Sequence, residues 1–119
     1  MIMNNIINNF LKSRGIPNFD IQDPTNVLLD IDAAEELLRL ATQEYVPIIG
    51  AEVFDEYHTV YNTFDLSWSC ECNAGEDTSF KSYFDRSIEM AWNGIRKVRD
   101  RMKKTHTRLY INYCVPFDE

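Results

Sequence analysis

A chain of 119 residues is sized for one domain, residues 1–119, and its 45% hydrophobic and 26% charged residues exclude a disordered or fibrous protein. The formal net charge of −7 argues against nucleic acid and anionic membranes as partners and suits a cationic one. No apolar run approaches the ~20 residues that span a bilayer. The opening "MIMNNIINNF" lacks the basic region, long apolar core and cleavage site of a signal peptide, so the expected compartment is the cytoplasm.

The first predicted element is a helix. "MNNIINNFLKSR" sets Ile6, Ile7, Phe10 and Leu11 on one stripe; Gly15 stops it and Pro17 prevents continuation. "IPNFDIQDPTN" reads as a turn-rich connector. Asp30 or Asp32 caps a second helix with Ile31, Ala34, Leu37, Leu38 and Ala41 inward and Glu35 and Glu36 in its favourable first turn. "YVPIIGAEVF" is short, β-branched and apolar, a largely buried strand, and "DEY" then turns the chain.

The stretch "YHTVYNTFDLSWSCEC", residues 57–72, alternates. Its even positions (His58, Val60, Asn62, Phe64, Leu66, Trp68, Cys70, Cys72) are mostly apolar and suit a core. Its odd positions (Tyr57, Thr59, Tyr61, Thr63, Asp65, Ser67, Ser69, Glu71) are hydroxyls and carboxylates without a cation. A strand is expected, bent near residues 62–65 because the stretch far exceeds the usual ~5–6 residues. "NAGEDTS" is a loop, and Thr78 or Ser79 caps a third helix from Phe80 to Lys104. Its stripe is Phe80, Phe84, Ile88, Ala91, Ile95, Val98 and Met102. "RLYINYCV" closes as a strand. The order ααββαβ predicts an α+β fold: a small, mainly antiparallel sheet with helices packed on one face. The other face is left to solvent, which fits the alternation.

The charge is unevenly placed. Residues 40–80 hold no Lys or Arg but carry Glu44, Glu52, Asp55, Glu56, Asp65, Glu71, Glu76 and Asp77; seven of the twelve basic residues crowd between Arg96 and Arg108. The cluster "RKVRDRMKKTHTR" runs around a helix end, where the dipole favours cations, and no aromatic interleaves with it to stack on bases.

Signatures of catalysis are missing. There is no phosphate loop, dinucleotide fingerprint, H-E-x-x-H or G-x-S-x-G. His58 falls on the core side of its strand, and His106 lies in a solvated helix-to-strand turn. Three cysteines without an export signal default to reduced thiols. Cys70 and Cys72 take the apolar face, Cys114 reads as a third core thiol, and C-x-C is not the usual zinc spacing, so neither metal nor cofactor is expected. Glu52 with Asp65 is a carboxylate pair that a hydrolase would use, but sequence spacing does not set their separation.

What remains is the polar strand face, where Tyr gives contact area at low entropic cost and acids give steering. Three stretches carry a family resemblance: "VPIIGAEVF" (46–54), "FDLSWSCE" (64–71) and "YFDRSIEMA" (83–91). Together they resemble the immunity proteins of bacterial polymorphic toxin systems, specifically the family numbered immunity protein 40. Pro47, Ile48, Gly50, Val53, Phe54, Trp68, Arg86 and Ser87 match its pattern; Ala51 and Glu52 stand where the pattern has Gly and Asp. The resemblance covers roughly the second two-thirds of the chain.

It implies a small, acidic, cytosolic, non-catalytic protein that binds and blocks a cognate toxin C-terminal domain delivered by a neighbouring cell. That toxin is expected to be basic, since many toxins are nucleases with polyanionic substrates. Expected contacts are Glu52, Asp55, Glu56, Tyr57, Tyr61, Asp65 and Glu71. The oligomeric state stays open. The alternatives are a cytosolic adaptor or regulatory binding protein and a small acid–base hydrolase.

Overall fold

The computed structural model describes residues 5–17, 26–61, 66–70 and 79–116. Helix α1 (Asn5–Arg14) buries Ile7 and Leu11, while Ile6 is exposed and Phe10 half-buried. The Gly15 N–H donates to the Leu11 carbonyl as the helix ends. Strand β1 (Ile16–Pro17) and strand β2 (Val27–Asp30) form an antiparallel pair. Asp30 closes β2 and opens helix α2 (Ile31–Gln43): its backbone is extended and its carboxylate accepts the Ala33 N–H at 2.8 Å. All five residues expected on the inner face of α2 are buried.

Strand β3 (Gly50–Phe54) and strand β4 (Trp68–Ser69) precede helix α3 (Phe80–Thr105), which runs to strand β5 (Tyr110–Cys114). Ser79 caps α3 by accepting the Ser82 N–H, and His106 ends it in the left-handed region at φ 56°.

The sheet order is β1-β2-β5-β3-β4, with every pairing antiparallel. Side chains alternate across it, so the register sorts them into two faces. Val53 opposite Ile111 and Ala51 opposite Tyr113 face the helices. Their core takes in Ile7 and Leu11 of α1, Leu37 and Leu38 of α2, and Ile95 and Val98 of α3. Phe54 opposite Tyr110, Glu52 opposite Asn112 and Gly50 opposite Cys114 lie on the other face. The fold is thus α+β, with helices on one side of an antiparallel sheet.

Two regions depart from expectation. Val27–Asp30 is a strand beside β5, and its Leu29 is fully buried opposite Ile111. No Gly or Pro separates it from α2, so the apolar run "VLLDIDAAEELL" hides the boundary.

The stretch 57–72 is not one strand. The Asp55 carboxylate accepts the N–H groups of Tyr57 (2.9 Å) and Thr59 (3.0 Å), and His58 takes the left-handed conformation at φ 61°. The chain reverses, and Val60 forms a bridge with Phe54. Val60 therefore shares the face of Phe54 and is 50% exposed, whereas Tyr61 packs against the helix-side core. At Leu66 and Cys70 the even positions are buried again. The two ends of the stretch are out of phase.

His58 consequently does not enter the core. It stands edge-on to Tyr110, 5.4 Å between centroids, over the face away from the helices. Cys114, expected inside, is exposed on that face; Cys70 is buried as expected, and Cys72 lies outside the described residues. Phe80, expected on the buried stripe of α3, is 54% exposed.

Candidate functional site

The face away from the helices has two halves. Around the first residues of β5, Leu28, Phe54 and Tyr110 form a small apolar cluster with Ile16 against it, and His58 lies on Tyr110. Toward the last residues of β5 the surface opens into a groove of about 610 Å³. Gly50, Ala51 and Glu52 of β3 line it, with Asn112 and Cys114 of β5. The returning chain adds Val60 and Tyr61, and the β4 region adds Ser67, Trp68 and Ser69. Gly50 lets the strands close there: a Cβ would stand 2.6 Å from the Trp68 carbonyl oxygen.

The expected contact residues are placed as follows. Glu52 is exposed in the groove, directly across from Asn112. Tyr61 also lines it but is half-buried, with its N–H on the Val53 carbonyl at 2.7 Å. Glu56 and Tyr57 are exposed on the adjoining turn, Tyr57 at 81%. The carboxylate of Asp55 is occupied in holding that turn. Asp65 and Glu71 lie outside the described residues, and with Asp65 the Glu52–Asp65 pair.

Sequence reasoning missed Asn112 and Cys114. The available signal was the lone amide in the strand "YINYC", at the polar phase of the alternation. Asn112 Nδ2 donates to Asn26 Oδ1 at 2.9 Å and to the Val27 carbonyl at 3.0 Å. Those two acceptors fix which way the amide points. Its Oδ1 has no hydrogen bond among the described residues.

Glu52 is the one charged residue lining the groove among the described residues, and it makes no ion pair among them. The cations sit elsewhere. Lys103, Lys104 and Arg108 are exposed around the end of α3, which leads into the start of β5, away from the groove. Arg99 is committed to Asp32 (2.9 Å) and Glu35 (2.5 Å), and these hydrogen bonds, Asp32 foremost, raise the pKa of its guanidinium. Arg14 pairs with Glu36 at 2.8 Å and Lys104 with Asp100 at 3.0 Å. Such exposed pairs contribute only about 0–1 kcal/mol each. Their consequence is electrostatic placement: cations at the α3 terminus and, in the groove, a carboxylate without an ion pair among the described residues.

Among the described residues no three His, Cys, Asp or Glu are grouped to hold a metal ion, and no helix is long and apolar enough to cross a membrane.

The fold and the groove describe a small α+β protein with a helix-backed sheet and one open, hollowed face. The family model for immunity protein 40 matches residues 10–115, and the chain belongs to that family. The match begins within α1, so it takes in α2 and β2 as well as the stretches that carried the resemblance. No curated protein and no solved structure matches the chain.

Proposed function

We propose that this chain is a cytoplasmic antidote that neutralises a cognate toxin domain by tight, non-catalytic binding through the groove and its adjoining turn. Membership of the immunity protein 40 family carries the reading. The surface supports it: Glu52 and Tyr61 share the groove, and Glu56 and Tyr57 project from the turn beside it. The acids steer a basic toxin domain, and the tyrosines anchor it. Asp65 and Glu71 belong to the same proposed surface by sequence. A net charge of −7 keeps the long-range attraction toward a basic partner. Neither nucleic acid nor membrane is a partner in this scheme.

The test is co-expression with the C-terminal domain of the toxin-like gene adjacent to this one. Growth restored by the intact chain, with a stable complex on purification, is the expected result. No rescue and no complex sinks the proposal and leaves the adaptor reading in its place.

A further inference from the structure

We infer that the groove over β3 is a socket for an arginine side chain of the bound protein; this rests on the antidote reading above. Glu52 and Asn112 occupy directly opposed positions on β3 and β5, on one face of the sheet. Cross-strand neighbours of this kind are ~4.5–5.5 Å apart. Both line the groove and carry acceptors unused among the described residues: the Glu52 carboxylate, without an ion pair, and Asn112 Oδ1, whose amide donors are already spent on Asn26 and Val27.

A largely apolar groove that carries one carboxylate and, among the described residues, no cation of its own suits an occupant with an apolar stem and a donor-rich cationic head. Arginine fits better than lysine. Its planar guanidinium carries five N–H donors in a fixed fork that can engage a carboxylate and a neighbouring carbonyl oxygen together. Lysine brings one compact, strongly hydrated charge. The remaining walls suit the rest of such a side chain: Val60, exposed on the face of Glu52, can cover its methylenes, and the hydroxyl of Ser69 can accept at the rim. A volume of about 610 Å³ admits one long side chain with its flanking backbone. The groove is thus a place where a basic toxin surface is read for geometry as well as for sign.

The experiment uses the full chain and the toxin domain encoded beside it. Peptide-resolved alkylation in the free chain and in the complex reports on the exposed thiol of Cys114, which lines the groove. Glu52→Gln keeps the size of the side chain and removes its charge. Each exposed arginine of the toxin domain is changed to lysine in turn.

The expected results are slowed alkylation of Cys114 in the complex and binding weakened at least about 30-fold by Glu52→Gln, with an unchanged melting curve. One toxin arginine, changed to lysine, should lose a comparable factor, and its effect should not add to that of Glu52→Gln. Cys114 alkylated as fast in the complex as in the free chain overturns the socket. So does Glu52→Gln binding within about twofold of wild type, or a lysine at every toxin arginine position binding as well. In those cases wild-type rescue of growth would leave the antidote reading standing. Absence of rescue and of binding by the wild type removes both.

Discussion

The Ile48 N–H donates to the hydroxyl of Ser87, 3.2 Å away, and that hydroxyl donates in turn to the Phe84 carbonyl at 2.8 Å. All three residues are buried, and Ser87 is the one buried polar residue of the described core. The bond fastens the chain entering β3 to the first half of α3. Ser87→Ala should leave a buried N–H without a partner, a loss of about 1–3 kcal/mol. Urea unfolding should show a lower midpoint at an unchanged slope. A midpoint equal to wild type would mean that water reaches Ile48.

Trp68 and Gly94 make a second junction of the same kind. A Cβ on Gly94 would stand 2.3 Å from the indole ring, and the ring also packs edge-on to Tyr113. Gly→Ala inside a helix ordinarily gains roughly 0.5–1 kcal/mol. Here the ring must move out of a packed site, so Gly94→Ala should instead destabilise by about 1–3 kcal/mol. The Trp68 fluorescence should shift with it, most simply read in a Trp92→Phe background. A gain in stability would show that β4 yields freely.

These two junctions bear on what was legible in the sequence. Ile48, Gly50, Trp68 and Ser87 carried the family resemblance, and each is engaged in packing or close approach between β3, β4 and α3. The recognisable residues therefore hold the scaffold, and the proposed recognition of a partner is assigned to other residues, such as Glu52 and Tyr57. The helices were readable because α2 buries a 3.6-period stripe from Ile31 to Ala41 and α3 one centred on Phe84, Ala91, Ile95 and Val98, each behind an identifiable N-cap. β2 was not, because its apolar residues run straight into a helix whose N-cap, Asp30, is also the last strand residue. The reversal at residues 55–60 extended further than "DEY" because His58, neither Gly nor Asn, takes its left-handed position. Without such a residue to mark it, the alternation read straight through the turn. Asn112 escaped notice because polar residues in a closing strand carry no meaning until the register puts one opposite Glu52.

The Tyr113 hydroxyl donates to the Ala34 carbonyl at 2.9 Å from a ring only 5% exposed. Burial, with a smaller contribution from Glu35, pushes its pKa far above the usual tyrosine value. A folded pKa raised above the unfolded one means that stability is fully present below about pH 10. It declines as pH rises beyond that, because only the unfolded chain then releases the proton. The slope from this one group is about 1.4 kcal/mol per pH unit. Tyr113→Phe should cost about 1 kcal/mol at pH 7 through the lost hydrogen bond. It should also flatten the alkaline decline by that slope. Parallel stability curves for the two proteins between pH 9 and 11, ~2 units around the tyrosine range, would show that the hydroxyl ionises in the folded state.

The two tyrosines proposed as anchors differ in how cleanly they can be tested. Tyr61 packs on the helix-side core, so Tyr61→Ala would lower stability together with affinity. Tyr57, at 81% exposure, separates the two effects. Tyr57→Ala should leave folding stability within about 0.5 kcal/mol of wild type. If it anchors the toxin domain, its loss should raise the dissociation rate by an amount worth about 2 kcal/mol, with little change in the association rate. Charge reversal acts on the other rate. Glu52→Lys with Glu56→Lys should slow association and flatten its dependence on salt, since screening weakens only attraction that reaches beyond contact. Lys97 and Lys103 are exposed on α3, on the helix side of the sheet and near its basic end, and reversing them to Glu should leave association unchanged or slightly faster. Stopped-flow association at several salt concentrations decides the matter. If the lysine reversals abolish binding while the glutamate reversals do not, the toxin docks on the basic end of α3, and the open face of the sheet has no part in neutralisation.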